Sequence, residues 1–461
     1  MSTKSPNVDA VSHGEFRRGP GTTRGRRGGP PINRRALIRA GSVAGLWGIV
    51  GCLDRAPGET DGSAEAAQET GDEGLDPTET GAVGETDEAE ETDDAEVTSD
   101  PDCVISGRLT DETTLGADCE LYTVPENLRV EATLSIEPGV TLVFGRDTTL
   151  EVSSSGSLVA VGTEDEPITF TGEQASRGYW KGITFDRSGD AENRLESVVV
   201  EYGGGPSQRH GPANVRLEGT GSSRSLLSVS NSTLRESEGY GLFVDRWSAL
   251  ETFDGNVLTG NALGAASVAS TSADDLDSSS TYAGNDRDVV LVEGVTIDED
   301  REIRWPALDA DLLVSDGTLV HGRLTVDPGA TLLFGQDASI DVRSTAGGLT
   351  AEGTAEEPIT FAGEQPTPGY WKGLGFVDSN SVHNVLRHAT VEGGGSAGFY
   401  GGFAGGPPAN VTIAASSSST SRLTLSDVSL RDSGGECLFS RGNVVLEATR
   451  IETDGCEGSV P

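Results

Sequence analysis

The sequence predicts an all-β fold in which short parallel strands wind into a solenoid. After Cys103 the chain consists of short runs with alternating apolar positions, separated by turns rich in Gly, Asp, Asn and Ser, and no helical spacing is sustained. Coils of roughly 22 to 25 residues with three short strands each are typical of a parallel β-helix. A β-sandwich or a β-propeller is the alternative, because both also combine short strands with Gly-rich turns.

Apolar pairs define the inner layer that we expect for each strand. Neighbouring residues of a strand point to opposite faces, so two residues spaced by two point the same way. The pairs of the first half are Leu142 with Phe144, Leu150 with Val152, Leu158 with Ala160, Ile168 with Phe170, Ile183 with Phe185, and Val198 with Val200. Asparagine also recurs, from Asn231 to Asn256 and from Asn261 to Asn285, as expected for side chains that stack on successive coils.

An internal duplication divides the repeats into two modules. The matching segments are "PGVTLVFG" from Pro138 with "PGATLLFG" from Pro328, "GTEDEPITFTGEQ" from Gly162 with "GTAEEPITFAGEQ" from Gly353, and "GYWKG" at 178–182 and 369–373. The second copy lacks a counterpart to residues 250–311. We therefore predict one β-helix module over residues 103–311 and a shortened duplicate over residues 312–461.

Four segments carry a resemblance to a known family: "LSIEPGVTLVFG", "GSLVAVGTEDEPITFTG", "GYWKGITF" and "VSNSTLRESEGYGLFV". They resemble the coils of right-handed parallel β-helix repeat proteins, in particular surface lipoproteins of the halophilic-archaeal type. The resemblance covers Leu121 to Phe439 and implies a right-handed solenoid. It says little about activity, because this fold carries polysaccharide lyases, glycosidases, adhesins and tailspikes alike.

Residues 1–51 have the order of a twin-arginine lipoprotein signal peptide. Arg34 and Arg35 precede a short apolar run from Ala40 to Gly51, and Cys52 follows. In such signals the arginine pair directs export of a folded protein, and the cysteine receives the lipid. An uncleaved anchor helix is the alternative, but about a dozen apolar residues fall short of the roughly 20 that span a bilayer. We predict lipidation at Cys52 and a location on the extracellular face of the cell membrane.

The chain is strongly acidic, with 74 Asp and Glu against 33 Lys and Arg and a formal net charge of −41. Residues 52–102 hold 19 of the acidic residues and show no apolar periodicity, so we expect a disordered linker there. Such a charge repels nucleic acid and excludes it as a partner. Only 3 of the 33 basic residues are lysine, and this composition resembles secreted proteins of extreme halophiles. In molar salt the Debye length is about 3 Å, so the acidic surface causes little self-repulsion.

The five cysteines divide into one lipid site and two pairs. Cys52 is assigned to the lipid, which leaves Cys103 with Cys119 and Cys437 with Cys456. Even numbers at short spacing in an exported protein indicate disulfides. A zinc site is the alternative, but the CxxC spacing and neighbouring histidines of zinc sites are missing. We expect the two disulfides to pin the terminal coils.

The repeated "GYWKG" is the candidate binding motif. An apolar pair follows it in both copies, so the motif lies at a corner where a strand begins. Its tryptophan most simply packs over that corner. The alternative is a carbohydrate platform, in which the aromatic rings stack on a pyranose beside the lysine. The residues of this platform are Tyr179, Trp180, Lys181, Tyr370, Trp371 and Lys372.

Catalytic and metal-binding patterns are weak throughout the sequence. A lyase arrangement would pair a lysine with carboxylates, and the candidates are Lys181 with Asp186 and Asp190, and Lys372 with Asp378. Solvated surface charge is the simpler interpretation in so acidic a chain. The histidines show no metal spacing: His210, His321, His383 and His388. "RHGP" at Arg209 and "ADD" at Ala273 lack the companion motifs of polygalacturonase-like hydrolases. We predict no catalytic residue, no metal and no cofactor.

The N-x-S/T pattern marks two candidate glycosylation sites, Asn231 in "NST" and Asn410 in "NVT". Taken together, the sequence predicts a lipid-anchored, monomeric surface protein that is not an enzyme. Its solenoid flank would contact polysaccharide or a cell-surface glycoprotein of the surface layer. The alternative is an extracellular polysaccharide lyase or glycoside hydrolase of the parallel β-helix class.

Overall fold

The computed structural model describes residues 103–116, 118–206, 211–399 and 406–458. The predicted signal peptide and linker lie outside these residues, as do Arg34, Arg35 and Cys52. The described residues belong to one compact unit, Thr92–Pro461. Its strands pair in parallel from the first coil to the last, which confirms the predicted parallel β-helix. None of the helices among the described residues has the length and apolarity needed to cross a membrane.

Nineteen strands form the first part of the solenoid. They are β1 (Gly107–Leu109), β2 (Thr113–Leu115), β3 (Leu121–Val124), β4 (Leu128–Val130), β5 (Thr133–Ile136), β6 (Thr141–Phe144), β7 (Leu150–Val152), β8 (Ser157–Val161), β9 (Ile168–Gly172), β10 (Ile183–Asp186), β11 (Arg194–Glu196), β12 (Val198–Glu201), β13 (Ala213–Glu218), β14 (Leu226–Ser230), β15 (Thr233–Arg235), β16 (Tyr240–Val244), β17 (Ala249–Asp254), β18 (Val257–Thr259) and β19 (Gly264–Ala269).

The second part begins after a single 3₁₀ turn at Ala273–Asp275. Its strands are β20 (Val289–Glu293), β21 (Thr296–Ile297), β22 (Glu302–Trp305), β23 (Asp311–Val314), β24 (Gly317–Val320), β25 (Arg323–Val326), β26 (Thr331–Phe334), β27 (Ser339–Arg343), β28 (Gly348–Glu352), β29 (Ile359–Gly363), β30 (Gly373–Val377), β31 (Val385–Glu392), β32 (Ala409–Ala414), β33 (Ser421–Arg431), β34 (Glu436–Arg441) and β35 (Val444–Asp454).

One ladder of parallel strands runs through both parts, and we call it the central ladder. It contains β1, β4, β7, β10, β13, β16, β19, β20, β23, β26 and β29, followed by the C-terminal halves of β31, β33 and β35. The ladder passes residue 311, the predicted module boundary, without interruption.

The other two sides of each coil belong to shorter ladders. In the first part, six-stranded sheets stack β2 to β17 and β3 to β18, taking every third strand. In the second part, a six-stranded sheet contains β21, β24, β27, β30, β32 and β34. The third side consists of β22, β25 and β28, and then the N-terminal halves of β31, β33 and β35. The coils are therefore three-sided, as the sequence rhythm predicts, except that the coil from β19 to β20 has only the 3₁₀ turn and an isolated bridge at Thr281 on its other two sides.

The core is a continuous stack of the apolar pairs. All six pairs predicted from the spacing are buried, with at most 1% of any side chain exposed. Leu150 pairs with Leu128 on one neighbouring coil and with Ile183 on the other, so like side chains lie over one another. Removing these columns of apolar side chains from water is the main force that holds the coils together.

Coil length varies more than the predicted 22 to 25 residues. The step from Leu128 to its partner Leu150 is 22 residues, whereas the step from Leu150 to Ile183 is 33. The longer coil carries the loop that contains "GYWKG". Corners of a solenoid tolerate insertions because they lie outside the stacked strands.

Buried asparagines tie successive coils together at the corners. Asn261 is fully buried, and its Nδ2 donates to Leu234 O at 3.1 Å and to Asn285 Oδ1 at 3.0 Å. Asn256 likewise accepts a hydrogen bond from the backbone of Ser232. Asn231 differs, since it is exposed and has a φ of +50°. Asn261 and Asn285 thus stack as expected, whereas Asn256 bonds to the backbone of the neighbouring coil instead of to Asn231.

Both predicted cysteine pairs lie at disulfide distance. The Cα–Cα distances are 5.8 Å for Cys103–Cys119 and 5.2 Å for Cys437–Cys456. The first pair lies beside β1 and β2, and the second joins β34 to the segment after β35. Each disulfide therefore closes a terminal coil, where the stack has a neighbour on one side only.

Candidate functional site

The two "GYWKG" motifs form corners that only glycine permits. Gly182 has a φ of +91°, and a Cβ there would lie 2.4 Å from the carbonyl oxygen of Asn214. Gly373 repeats this geometry, with a φ of +108° and the oxygen of Ala409 at 2.5 Å. Any side chain would collide with the backbone of the next coil. The motif is thus placed at a strand start, as predicted.

Trp180 and Trp371 are buried parts of the solenoid core. Both rings are 0% exposed. Trp180 Nε1 donates to Glu201 O, and Trp371 Nε1 donates to Glu392 O, each at 2.8 Å. Neither ring can present a face to a pyranose, so their assignment to a carbohydrate platform is corrected. Their geometry supports the alternative interpretation of packing over a corner.

The tyrosines and lysines of the motif differ in exposure, since Tyr179 is buried and the other three are partly exposed. Tyr179 donates its hydroxyl to Glu173 at 2.8 Å, and Arg146 lies 4.7 Å from its ring centroid. Burial and the Glu173 carboxylate raise the pKa of Tyr179. Lys372 Nζ lies 4.4 Å from the ring centroid of Phe399, while Lys181 and Tyr370 are partly exposed. Lys181, Tyr370 and Lys372 remain partly accessible, whereas Tyr179 is buried, and none of them forms an aromatic platform with the tryptophans.

The two corners do not belong to one continuous site. The first corner precedes β10 of the central ladder, whereas the second follows β29 of that ladder and precedes β30 of a different sheet. Seven rungs separate β10 from β29, which is about 34 Å at the usual strand spacing of ~4.8 Å. The duplicated unit therefore spans seven coils plus one side of the next coil. The two motifs are thus separated along the solenoid axis.

The candidate lyase carboxylates are engaged elsewhere. Asp186 pairs with Arg187 at 2.6 Å, and Asp190 accepts a backbone hydrogen bond from Glu192 at 3.0 Å. Asp378 accepts hydrogen bonds from Ser416 N at 2.6 Å and from the Ser419 hydroxyl. The ion pairs of the described residues involve arginine or histidine and no lysine. The structure therefore does not assemble the lysine–carboxylate arrangement.

The histidines form no metal site in the described ranges, where no group of three metal-ligating side chains occurs. His210 and Arg209 lie outside these ranges. His388 lies 3.9 Å from Asp427, and Asp427 also binds Arg450 through its carboxylate. Hydrogen bonding to Arg450 holds the pKa of Asp427 well below its usual range. This cluster is an ion-pair network at the edge of a shallow groove.

The two glycosylation candidates have opposite environments. Asn231 is exposed at a corner. Asn410 is fully buried, and its Nδ2 donates to Val391 O at 3.2 Å and to Arg431 O at 2.7 Å. Both amide hydrogens of Asn410 are thereby used inside the solenoid. The prediction of Asn410 as an acceptor is corrected, because a glycan cannot reach a nitrogen enclosed by the coils.

A cleft of about 700 Å³ lies at the C-terminal ends of four consecutive rungs, β13, β16, β19 and β20. We call it the Trp247 cleft. Its described lining is Gly221, Ser222, Ser223, Arg224, Arg246, Trp247, Thr271, Val295, Thr296, Asp298 and Arg301. Trp247 is 47% exposed, whereas the other described tryptophans are fully buried. An exposed tryptophan ring, which the "GYWKG" corners do not offer, is therefore present in this cleft.

Local hydrogen bonds hold Trp247 in place. The buried carboxylate of Asp245 accepts from Trp247 N at 3.0 Å and from Gly219 N at 2.7 Å. Thr220 and Ser223 exchange two backbone hydrogen bonds and close a tight turn. The indole lies beside this turn, since a Cβ on Gly221 would come within 3.7 Å of it. The ring is thus supported by a compact turn and is not a free surface side chain.

Two of the three arginines in the cleft lack a carboxylate partner among the described residues. Elsewhere most described arginines are in ion pairs, as Arg235 is with Glu201 at 2.6 Å. Arg224 and Arg246 have no ion pair among the described residues, and Arg246 lies 5.6 Å from the Trp247 ring centroid. Arg301 donates to the backbone oxygen of Thr271 at 3.2 Å. The cleft is therefore a basic, aromatic site on an acidic protein.

An acidic turn adjoins the cleft. Asp274 and Asp275 lie on the 3₁₀ turn, and Asp275 accepts a hydrogen bond from Leu250 N at 3.1 Å. Burial raises the pKa of Asp275 to about 7 and also raises that of Asp274. The charge of Arg301 opposes both shifts. The isolated "ADD" thus lies close to Arg301, although neither carboxylate lines the cleft.

The duplication does not predict Trp247, because this residue lies outside the repeated "GYWKG" motif. The sequence signal for this residue is a difference between the two copies. Trp247 follows Arg246 directly and has no counterpart in the second copy, where Asn443 occupies the matching position. A feature that interrupts a repeat is a better candidate for function than one that the repeat preserves.

Comparison with family models, curated proteins and solved structures finds no match to this chain. No relative therefore carries a function over to it.

Proposed function

We propose that this chain is a lipid-anchored protein of the extracellular face of the membrane, whose β-helix flank binds carbohydrate without chemical turnover. The order of Arg34, Arg35, apolar run and Cys52 supports export and anchoring. The acidic linker of residues 52–102 supports display at a distance from the membrane. The two cysteine pairs at disulfide distance fit an oxidising location.

The single observation that carries the binding proposal is the exposure of Trp247 in a supported cleft. Tryptophan rings stack on the apolar face of sugars, and a solvent-exposed tryptophan buries that face on binding. The cleft crosses four rungs, so at about 4.8 Å per rung it extends roughly 14 Å along the solenoid. That length suits a segment of a polysaccharide or of a surface-layer glycan.

Binding of polysaccharide to the full chain, extracted with its anchor and assayed in molar salt, tests this proposal. Trp247→Ala should abolish measurable binding. Tyr370→Ala is the matched control, because it removes a partly exposed ring from the "GYWKG" corner and should leave affinity unchanged. Loss of binding in the Tyr370 variant alone would place the contact at the corner and contradict the proposal.

Anchoring has its own test. Cys52→Ala should leave the protein unlipidated, so that it appears in the medium or as an uncleaved precursor. Replacing Arg34 and Arg35 by lysine should retain it inside the cell. A processed Cys52→Ala protein that still sediments with membranes would contradict the anchor.

A second candidate function is that of a polysaccharide lyase or hydrolase, and the carboxyl of Asp275 favours it. A carboxyl whose pKa is raised to about 7 is protonated near neutral pH and has the property required of a general acid. New reducing ends or unsaturated uronates released from polysaccharide by wild type, and not by Asp275→Asn, would establish this function. We expect none.

A further inference from the structure

We infer that the Trp247 cleft selects anionic glycans, meaning polysaccharides whose sugars carry carboxylate or sulfate groups. The inference rests on the proposed carbohydrate binding and adds the charge of the ligand to it.

The charge balance of the cleft is the reverse of the balance of the protein. Residues 103–461 contain 53 Asp and Glu against 23 Lys and Arg. The described lining of the cleft contains Arg224, Arg246 and Arg301 against one acidic residue, Asp298. In so acidic a chain an arginine readily finds a carboxylate, as most of the described arginines do. Arg224 and Arg246 have no such partner among the described residues, which indicates that their counter-charge comes from outside the chain, whereas Arg301 lies close to Asp274 and Asp275.

The hydrogen-bonding geometry of the guanidinium group limits the chemical class of the ligand. Arginine presents five N–H donors in a planar fork that fits the two oxygens of a carboxylate or sulfate. Arg224 and Arg246 donate no hydrogen bond within the described part of the chain, so their forks are open to a ligand. A neutral hydroxyl accepts one such bond but leaves the charge uncompensated. An anionic substituent accepts the hydrogen bonds and also compensates the charge of the guanidinium group.

Trp247 distinguishes a glycan from a simple anion. The indole lies between the turn at Gly221 and open solvent, beside the arginines, so that one ligand can meet both kinds of group. A free phosphate or sulfate would use the arginines and gain nothing from the ring. A sugar that bears an anionic group would stack on the ring and pair with the arginines together.

High salt sharpens this selection. At molar salt the Debye length is about 3 Å, so attraction to a distant charge is screened while hydrogen-bonded ion pairs persist. Selectivity in brine must therefore come from direct contact, which arginines lining one cleft provide and a diffuse basic surface does not.

Four probes test the inference on the full chain in molar salt: polygalacturonate, its fully methyl-esterified form, dextran sulfate and dextran. We expect polygalacturonate or dextran sulfate to bind at least tenfold more tightly than its neutral counterpart, and the arm that does so identifies carboxylate or sulfate as the ligand group. Arg224→Gln and Arg246→Gln should each weaken that binding roughly tenfold or more. Arg431→Gln is the matched control, because Arg431 also has no ion pair among the described residues and donates a hydrogen bond to the Ser429 hydroxyl on β33, away from the cleft.

The outcomes separate this inference from the proposed function. Equal affinity for charged and neutral probes, lost in Trp247→Ala, would overturn the charge selection and leave carbohydrate binding intact. Binding that Arg431→Gln weakens as much as Arg224→Gln would also overturn it. Absence of binding to all four probes, or binding that survives Trp247→Ala, would overturn both.

Discussion

The indole of Trp180 lies flat on the ring of Phe144, with 4.1 Å between ring centroids and 10° between their planes. Phe144 ends β6, one coil earlier, while the indole nitrogen of Trp180 donates to Glu201 at the end of β12. One side chain therefore joins consecutive coils. Trp371 repeats the contact with Phe334 at 4.0 Å and 10°. The motif thus serves as a clamp between coils in both copies.

Trp180→Ala and Trp371→Ala should each lower the free energy of unfolding by about 3 to 5 kcal/mol, because each removes a fully buried ring and leaves a cavity. Lys181→Ala and Lys372→Ala should leave stability nearly unchanged. Thermal melts of the four variants in molar salt measure this. Tryptophan variants that melt like wild type would show that the clamp is not structural.

Any N-linked glycan should be found on Asn231 and none on Asn410. Asn410 also accepts a hydrogen bond from Gly394 N at 2.8 Å, so its amide is fully engaged. Mass spectrometry of the corresponding peptides measures occupancy. Asn410→Ala should cost roughly 1 to 3 kcal/mol of stability by leaving buried backbone groups unpaired, whereas Asn231→Gln should be neutral. A glycan on Asn410 would contradict the buried position.

Dilution from molar salt to about 0.1 M should destabilise the protein. The screening length grows from roughly 3 to 10 Å, and the excess of 53 acidic over 23 basic residues in 103–461 then repels itself. Melting temperatures along a salt series measure the effect, with sucrose at matched viscosity as a control. A constant melting temperature over the series would show that the acidity is not adapted to brine.

Asp275 should make stability fall as pH rises. Burial raises its folded-state pKa to about 7, above the value near 4 of the unfolded chain. The folded state therefore binds the proton of Asp275 more tightly than the unfolded chain does. The stabilisation that this proton gives the folded state is fully present below about pH 4 and is lost as pH rises to about 7. Asp275→Asn keeps an oxygen that accepts the hydrogen bond from Leu250 N. Because the asparagine side chain does not titrate, the variant should not lose stability as pH rises. The variant should match wild type at pH 4 and exceed its stability at pH 8 by about 1 to 4 kcal/mol.

That comparison is read from denaturant unfolding at the two pH values. Asp277→Asn serves as a control, since this carboxylate lies two residues after Asp275 and accepts hydrogen bonds from Ser279 and Ser280. Identical pH profiles for wild type and Asp275→Asn would show that the carboxyl titrates normally.

Local patterns predict the coils because a solenoid is built from local contacts. The alternation that selects Leu150 and Val152 also selects Ile183 and Phe185 one coil later, and the ladder needs only nearest neighbours. The two cysteine pairs at the ends are also predicted from residues that lie close together in the chain. Coil length was predicted less well, because insertions at corners leave the stacking unchanged.

The sequence by itself determined the class of fold, the inward residues of each coil and the pairing of the four cysteines, since period and spacing are properties of the chain. Only the tertiary structure decided that Trp180 and Trp371 are buried while Trp247 is exposed. It also decided that Asn410 faces inward and that Arg224, Arg246 and Arg301 line one cleft. These facts depend on which residues of different coils meet at a corner. Arg224 and Arg301, which are 77 positions apart along the chain, line the same cleft only because the coils stack.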